Sequence, residues 1–215
     1  MSLSKTLWNE NEDLARASLE HRFVRGIGDG TLPLGSFQSY VAQDAFFLES
    51  FARAYALALA HSPDRDAMSD FADLITGVLE ELKLHGGYAE KWGVRLDDVV
   101  PAKASLAYTD FLLSTAALKS VGETCAAMTP CMRLYAFLGQ SLAEEGYDQD
   151  NPYAEWIETY SDPEFDALAS TLERLLDRYA SDAPRTRSAY RRAMELEIAF
   201  FEANYEAESR TSGHE

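Results

Sequence analysis

The sequence predicts an all-α fold in a single domain, and three observations carry that prediction. Apolar residues recur at the i, i+3, i+4 spacing of a helix face almost from end to end. No stretch alternates apolar with polar residues between turn signals, as half-buried strands do. The chain has 215 residues and no internal repeat, a length that suits one large domain, residues 1–208, ahead of a tail at 209–215 expected to be disordered.

The elements follow in chain order. A first helix is expected over residues 7–27, with Leu7, Leu14, Phe23 and Ile27 on its apolar positions and Gly28-Asp-Gly30 as its stop. Leu32-Pro-Leu-Gly-Ser36 reads as a turn whose Ser36 can cap a long second helix ending near residue 61, where Ser62-Pro-Asp64 breaks it. A third helix is expected over 66–92, bent at Gly86-Gly87. Pro101 suits the first turn of a fourth, which reaches about residue 120. Gly122 precedes a fifth, ending near 145, whose middle Pro130 should kink or loosen. A short helix holding Tyr153 and Trp156, one over 163–179 and a last one over about 185–206 complete the set.

Composition narrows the function classes. Hydrophobic residues make up 47% and aromatics 12%, enough to pack a core and to exclude disorder for most of the chain. Lys and Arg number 19 against 36 Asp and Glu, a formal charge of −17. Such a chain lacks the basic face that phosphate neutralisation needs, so neither nucleic acid nor an anionic membrane is an expected partner. No stretch approaches the roughly 20 apolar residues of a membrane span. The N-terminus turns acidic where a secretory leader would be apolar, and Cys125 and Cys131 are too few for a disulfide scaffold. A reducing cytoplasm is the expected setting.

Three short segments could carry chemistry. Asp44 shares a helix face with Phe47, Leu48 and Phe51, and a carboxylate in an apolar stripe must be paired or hydrogen-bonded. Its plain reading is a structural Asp satisfied by a Tyr or Arg; its functional one is a ligand anchor. Thr129-Pro130-Cys131 places a thiol where proline removes a helix hydrogen bond, with Tyr135 one turn on. Cys131 is either a small buried apolar residue or a nucleophile. Glu197 borders the aromatic pair Phe200 and Phe201, where burial raises a carboxyl pKa and suits it to general acid work. Tyr108, Tyr153, Trp156 and Tyr160 complete an aromatic set, of which Tyr153 and Trp156 read as core.

Metal readings are weaker. The Glu-x-x-His pairs of di-iron bundles are missing, and Glu81 with His85 reads as a helix-end arrangement beside Gly86-Gly87. His21, His61 and His214 form no motif with that pair. No phosphate loop, dinucleotide fingerprint or nucleophile elbow is present.

The order of these segments resembles the TenA (thiaminase II) family. The residues that carry the likeness are Gly30-Thr-Leu-Pro33, Phe37-Gln-Ser-Tyr-Val-Ala-Gln-Asp44, Phe51-Ala-Arg-Ala54, Tyr108, Pro130-Cys131, Tyr135, Tyr153-Ala-Glu-Trp156, Tyr160 and Leu196-Glu197 with Phe200. The resemblance covers nearly the whole chain and implies the haem-oxygenase-like helical fold, a homotetramer and no cofactor. No histidine sits in a haem-ligand motif. It also implies hydrolysis of 4-amino-5-aminomethyl-2-methylpyrimidine to the hydroxymethyl pyrimidine and ammonia in thiamine salvage, and cleavage of thiamine in many members.

By the same resemblance, the nucleophile falls on Cys131, placing the chain in the cysteine-bearing branch. The acid/base carboxylate falls on Glu197 and the anchor for the aminopyrimidine on Asp44. Tyr135 and Tyr160 match pocket tyrosines, and Tyr108 one near the nucleophile. Phe47 stands where some members have Tyr, which leaves Tyr108 as the expected polar contact to Cys131. Residue chemistry agrees with this set. A flat aminopyrimidine needs an aromatic slot, and its ring nitrogen beside an amino group is a fork that one carboxylate can hold. Two alternatives remain: a related amino- or formylamino-pyrimidine as substrate, or a non-catalytic pyrimidine-binding or regulatory homologue.

Overall fold

The computed structural model describes residues 1–96 and 99–211. Among these there are ten helices and no strand: α1 (Leu3–Glu10), α2 (Glu12–Leu19), α3 (Arg22–Gly28), α4 (Leu34–Ala60), α5 (Arg65–Trp92), α6 (Lys103–Leu118), α7 (Val121–Glu145), α8 (Ala154–Ser161), α9 (Pro163–Tyr179) and α10 (Pro184–Thr211). The expected all-α class is what the chain adopts. No helix among the described residues is long and apolar enough to cross a membrane.

The expected N-terminal helix is three short ones, and two side chains explain the breaks. Asn11 turns its amide back to the Leu7 carbonyl at 2.8 Å while its own N–H bonds the Trp8 carbonyl, so the chain leaves one helix and enters the next at that residue. His21 is extended, and its Nδ1 accepts from the Phe23 N–H at 3.2 Å as a helix cap. Neither device has an apolar signature, so periodicity alone ran through both.

Two other helix starts differ from expectation. Ser36 does not cap α4, which begins after Pro33; the Ser36 hydroxyl is buried and donates to the Tyr205 carbonyl at 3.3 Å. Pro101 lies just outside α6, whose cap is Ala102. Helix α5 continues unbroken through Gly86-Gly87 and ends at Gly93, which takes a left-handed φ of 68° that glycine adopts without strain. Helix α7 likewise runs as one helix through Pro130, started by Ser120 and Glu123 bonding each other's backbone N–H groups. Helix α10 passes the expected end near 206; of the expected tail, 212–215 lies outside the described residues.

Helix α7 is the axis of the bundle. It is apolar on nearly every side, as a helix surrounded by others must be, and packs against α6, α8, α9 and α10. Helix α4 forms the second centre, against α5, α6 and α10. Glycines allow two tight crossings on α7. A Cβ on Gly122 would lie 2.3 Å from the Tyr179 carbonyl oxygen, and one on Gly139 would lie 2.4 Å from the Tyr160 carbonyl carbon. Arg133 fastens the same helix to α9, with two bonds to Glu173 and one to Asp166. Trp156, Tyr40, Tyr55, Tyr108 and Phe51 are wholly buried between these helices, each contributing about 2 kcal/mol or more by leaving water.

Candidate active site

Five long or central helices and one short one aim polar side chains at one interior point. Asp44 and Phe47 come from α4, Glu81 and His85 from α5, Tyr108 from α6, Cys131 and Tyr135 from α7, Tyr160 from α8 and Glu197 from α10. On α4 and α7 the convergence follows from spacing: Asp44 with Phe47, Leu48 and Phe51, and Cys131 with Tyr135, occupy one helix face each. All of these except Tyr108, Glu197 and His85 line one small chamber, together with Met132 and Phe165. The chamber has a volume of about 10 Å³, room for roughly one water. A planar ring enters only if wall side chains swing aside.

Behind the chamber wall lies a chain of polar groups. The Tyr108 hydroxyl donates to Glu197 Oε1 at 2.7 Å, and the Cys131 thiol lies near enough to the same carboxyl to interact with it. All three are buried. Burial raises the Glu197 carboxyl to about 8; the bond from Tyr108 and the interaction with Cys131 pull the other way, and the negative charge of Asp44 adds to the rise. Burial also pushes the Cys131 thiol well above its ordinary value, reinforced by the charges of Glu197, Glu81 and Asp44. The thiol therefore keeps its proton at rest and requires an adjacent base, and Glu197 is the group in contact with it.

Tyr108 was expected to make the polar contact with Cys131 that Phe47 cannot. The geometry corrects this: the Tyr108 hydroxyl bonds Glu197, the carboxyl that also acts on the Cys131 thiol. Phe47 packs instead, with ring centroids 5.4 Å from Phe51 and 4.8 Å from Tyr108. Tyr135 and Tyr160 meet edge-on at 4.8 Å and form an aromatic wall. Trp156 and Tyr153 are core, as expected, and the Trp156 indole N–H donates to the Tyr40 hydroxyl at 3.2 Å.

The partner of Asp44 is neither Tyr nor Arg but His85. Its Nε2 stands 2.7 Å from Asp44 Oδ2, off the straight hydrogen-bond line yet close enough for an ion pair. Its Nδ1 faces the Glu81 carbonyl at 3.1 Å. Both ring nitrogens thus meet groups that only accept, which favours the doubly protonated ring. Burial opposes that charge, but the hydrogen-bonding contact and charge of Asp44 outweigh it and hold His85 at about 9. Glu81 accepts a bond from the Tyr160 hydroxyl at 2.7 Å. Its carboxyl is raised to about 7 by burial and by Asp44, against the influence of His85 and Tyr160.

Glu81 and His85 are the site residues that sequence reasoning set aside. Their spacing of one helical turn was visible, but the following glycines suggested a helix end. Because α5 continues to Trp92, the pair sits mid-helix and faces Asp44. Among the described residues, no three His, Cys, Asp or Glu side chains converge as a metal ion would require.

Comparison with known proteins places this architecture. Residues 8–207 match the family model described as the TENA/THI-4/PQQC family. The bifunctional TH2 protein of Arabidopsis thaliana is 34% identical over 94% of this chain, which spans only 37% of that longer protein. An aminopyrimidine aminohydrolase of Halalkalibacterium halodurans is 36% identical, the match covering 84% of this chain and 83% of the relative. A solved structure described as a TenA family transcription regulator, from Silicibacter, superposes with a TM-score of 0.87 at 30% identity, covering 94% of this chain and 95% of that one. The bundle is the haem-oxygenase-like helical fold of the TenA proteins, as expected. With the match running nearly from end to end, this chain belongs to the TENA/THI-4/PQQC family.

Proposed function

We propose that this protein is an aminopyrimidine aminohydrolase of the thiaminase II type. Its substrate is 4-amino-5-aminomethyl-2-methylpyrimidine, its products are the hydroxymethyl pyrimidine and ammonia, and thiamine is a second substrate. The observation that carries this reading is the chain from Tyr108 through Glu197 to the Cys131 thiol, which ends on the chamber that Asp44 also lines. Relatives that cover most of their own length, from Halalkalibacterium halodurans and Helicobacter pylori, carry the name aminopyrimidine aminohydrolase.

The geometry suggests the following course. Asp44 has one oxygen on His85 and its other free to accept from the amino edge of the ring, while Phe47, Tyr135 and Tyr160 enclose its faces. Cys131 Sγ adds to the ring carbon next to the one bearing the methylene, and its proton passes to Glu197 in the fraction of molecules whose carboxyl is ionised, a fraction that grows as pH approaches about 8. The electron pair pushed into the ring expels the amine as the methylene C–N bond breaks, and Glu197 returns the proton to the leaving nitrogen. Water then adds to the exposed methylene and gives its proton to Glu197. That proton returns to sulfur as the C–S bond breaks and the aromatic ring reforms. In sum, the aminomethyl compound and water become the alcohol and ammonia. Tyr108 holds Glu197 in place throughout.

Both cysteines are free thiols, which suits a reducing cytoplasm as the place of this reaction. A homotetramer is the assembly we propose, and sedimentation of the purified protein tests it.

Ammonia release from the aminomethyl pyrimidine by wild type and by Cys131→Ser is the decisive experiment. The variant is expected to lose about three orders of magnitude or more in kcat while keeping its fold and its affinity for the hydroxymethyl product. If wild type releases no ammonia, or Cys131→Ser matches it, the proposed chemistry is wrong.

A further inference from the structure

The ring nitrogen beside the amino group changes character when sulfur adds to the pyrimidine. In the aromatic ring its lone pair is a weak base. Once the C–S bond forms, the electron pair pushed into the ring passes through the carbon bearing the methylene and the carbon bearing the amino group, and comes to rest on that nitrogen. It is then an amidine-like base, stronger than an imidazole. A negative nitrogen enclosed by apolar walls is costly unless it gains a proton. Asp44 is the group that holds this edge of the ring, and an ionised carboxylate has no proton to give.

His85 stands directly behind Asp44 and carries one. Its Nε2 is 2.7 Å from Asp44 Oδ2, within reach of proton transfer, and both side chains are almost wholly buried. Its Nδ1 faces the Glu81 carbonyl, so neither ring nitrogen meets a group that could supply a proton in its place. The other polar neighbours of the imidazole are occupied elsewhere or turned away from this exchange. Tyr40 of α4 lies 6.4 Å off, ring to ring, and its hydroxyl accepts from Trp156. Tyr88 of α5 meets the imidazole edge-on at 5.7 Å. The Glu81 carboxyl is bonded by Tyr160 of α8. Asp44 lines the chamber and His85 does not, so His85 acts on a bound ring only through Asp44.

We propose that His85 is a positioning residue that lends its Nε2 proton, through Asp44, to the ring nitrogen beside the amino group, and recovers it as the leaving group departs. This rests on the reading given under Proposed function. As the C–S bond forms, the ring N–H bond forms and the His85 Nε2–H bond breaks, with Asp44 giving one proton for the one it receives. The pair then moves back out of the ring, the methylene C–N bond breaks, and the nitrogen returns its proton to Asp44 and so to His85. Addition of water at the methylene and loss of sulfur repeat the loan and its return. No net proton is consumed, and the thiol proton still travels by way of Glu197. The two buried carboxyls thereby have separate tasks: Glu197 serves the sulfur and the leaving nitrogen, while Asp44 with His85 serves the ring.

Two measurements test the loan. His85→Gln sets an amide N–H close to where Nε2–H stands, so Asp44 keeps a donor but no proton can be lent. Its kcat for ammonia release from the aminomethyl pyrimidine should fall by about 10²- to 10³-fold, the range of general acid–base assistance. Its affinity for the hydroxymethyl product, titrated calorimetrically, should stay within about threefold of wild type, because only the reacting ring needs the proton. Retained affinity also shows that the variant folds. A kcat within about threefold of wild type, or an affinity that falls as steeply as kcat, makes His85 a structural support for Asp44 and overturns the loan. The second measurement is made on wild type, by NMR with isotope-labelled histidine. Both ring nitrogens of His85 should carry protons at pH 7, in keeping with a value of about 9; one bare nitrogen overturns the loan. Either failure leaves Asp44, Cys131 and Glu197 in their roles. If wild type itself releases no ammonia, the proposed function fails and the loan fails with it.

Discussion

The carboxyl of Glu197 binds its proton more tightly in the folded protein than in the unfolded chain, and this has a consequence for stability. Between its ordinary value near 4.5 and its folded value of about 8, the folded state holds a proton that the unfolded state has lost. Stability therefore declines as pH rises through that window. Glu81 acts in the same direction up to about 7. His85, raised from 6.5 to about 9, contributes stability that is complete below 6.5 and lost as pH rises through about 9. All three signs agree, so the unfolding free energy should fall from pH 5 to pH 9, by on the order of a few kcal/mol. Glu197→Gln, which carries no titrating proton, should flatten the part of that slope below about 8. Urea unfolding across this range is the measurement, and a variant with an undiminished slope would show that Glu197 is not the group responsible.

Helix α7 is placed by glycine as much as by its apolar surface. At Gly139 the backbone of α8 comes so close that a methyl group would lie 2.4 Å from the Tyr160 carbonyl carbon. The contact is with backbone, which cannot swing aside as a side-chain tip can. Gly139→Ala should therefore push α8 outward, at a cost of about 1–3 kcal/mol. Because Tyr160 rides on α8 and bonds Glu81 on α5, the shift also opens the chamber's aromatic wall. Loss of stability in thermal unfolding should accompany a raised KM for the aminopyrimidine. A variant as stable as wild type would mean that α8 yields without strain. Spacing alone indicates that α7 is buried; it does not indicate which helix crosses at which glycine.

The molecule as a whole carries a formal charge of −17. Arginines on α7, α9 and α10 offset part of this in local pairs, as Arg133 does with Asp166 and Glu173 and Arg191 with Asp13. The net excess still repels itself in the compact state. Raising sodium chloride from about 0.05 to 0.5 M shortens the screening length severalfold and should raise the unfolding temperature by a few degrees. A fall in Tm would mean that the ion pairs lost to screening outweigh the repulsion relieved.

Helix class, the approximate limits of α7 and α9 and the burial of Asp44, Cys131 and Glu197 were legible in the sequence, since each depends on neighbours within a turn or two. Periodicity reports only a face, and so it missed the breaks at Asn11 and His21, which polar side chains make by bonding backbone. The resemblance supplied the list of site residues; it did not supply the bond from Tyr108 to Glu197 or the ion pair between Asp44 and His85. Those contacts join residues 89 and 41 positions apart, on helices whose mutual placement is a property of the packed bundle. Local spacing determines which side of a helix is buried. Only packing between helices decides which buried carboxyl meets a thiol, which meets an imidazolium, and how far their proton affinities move.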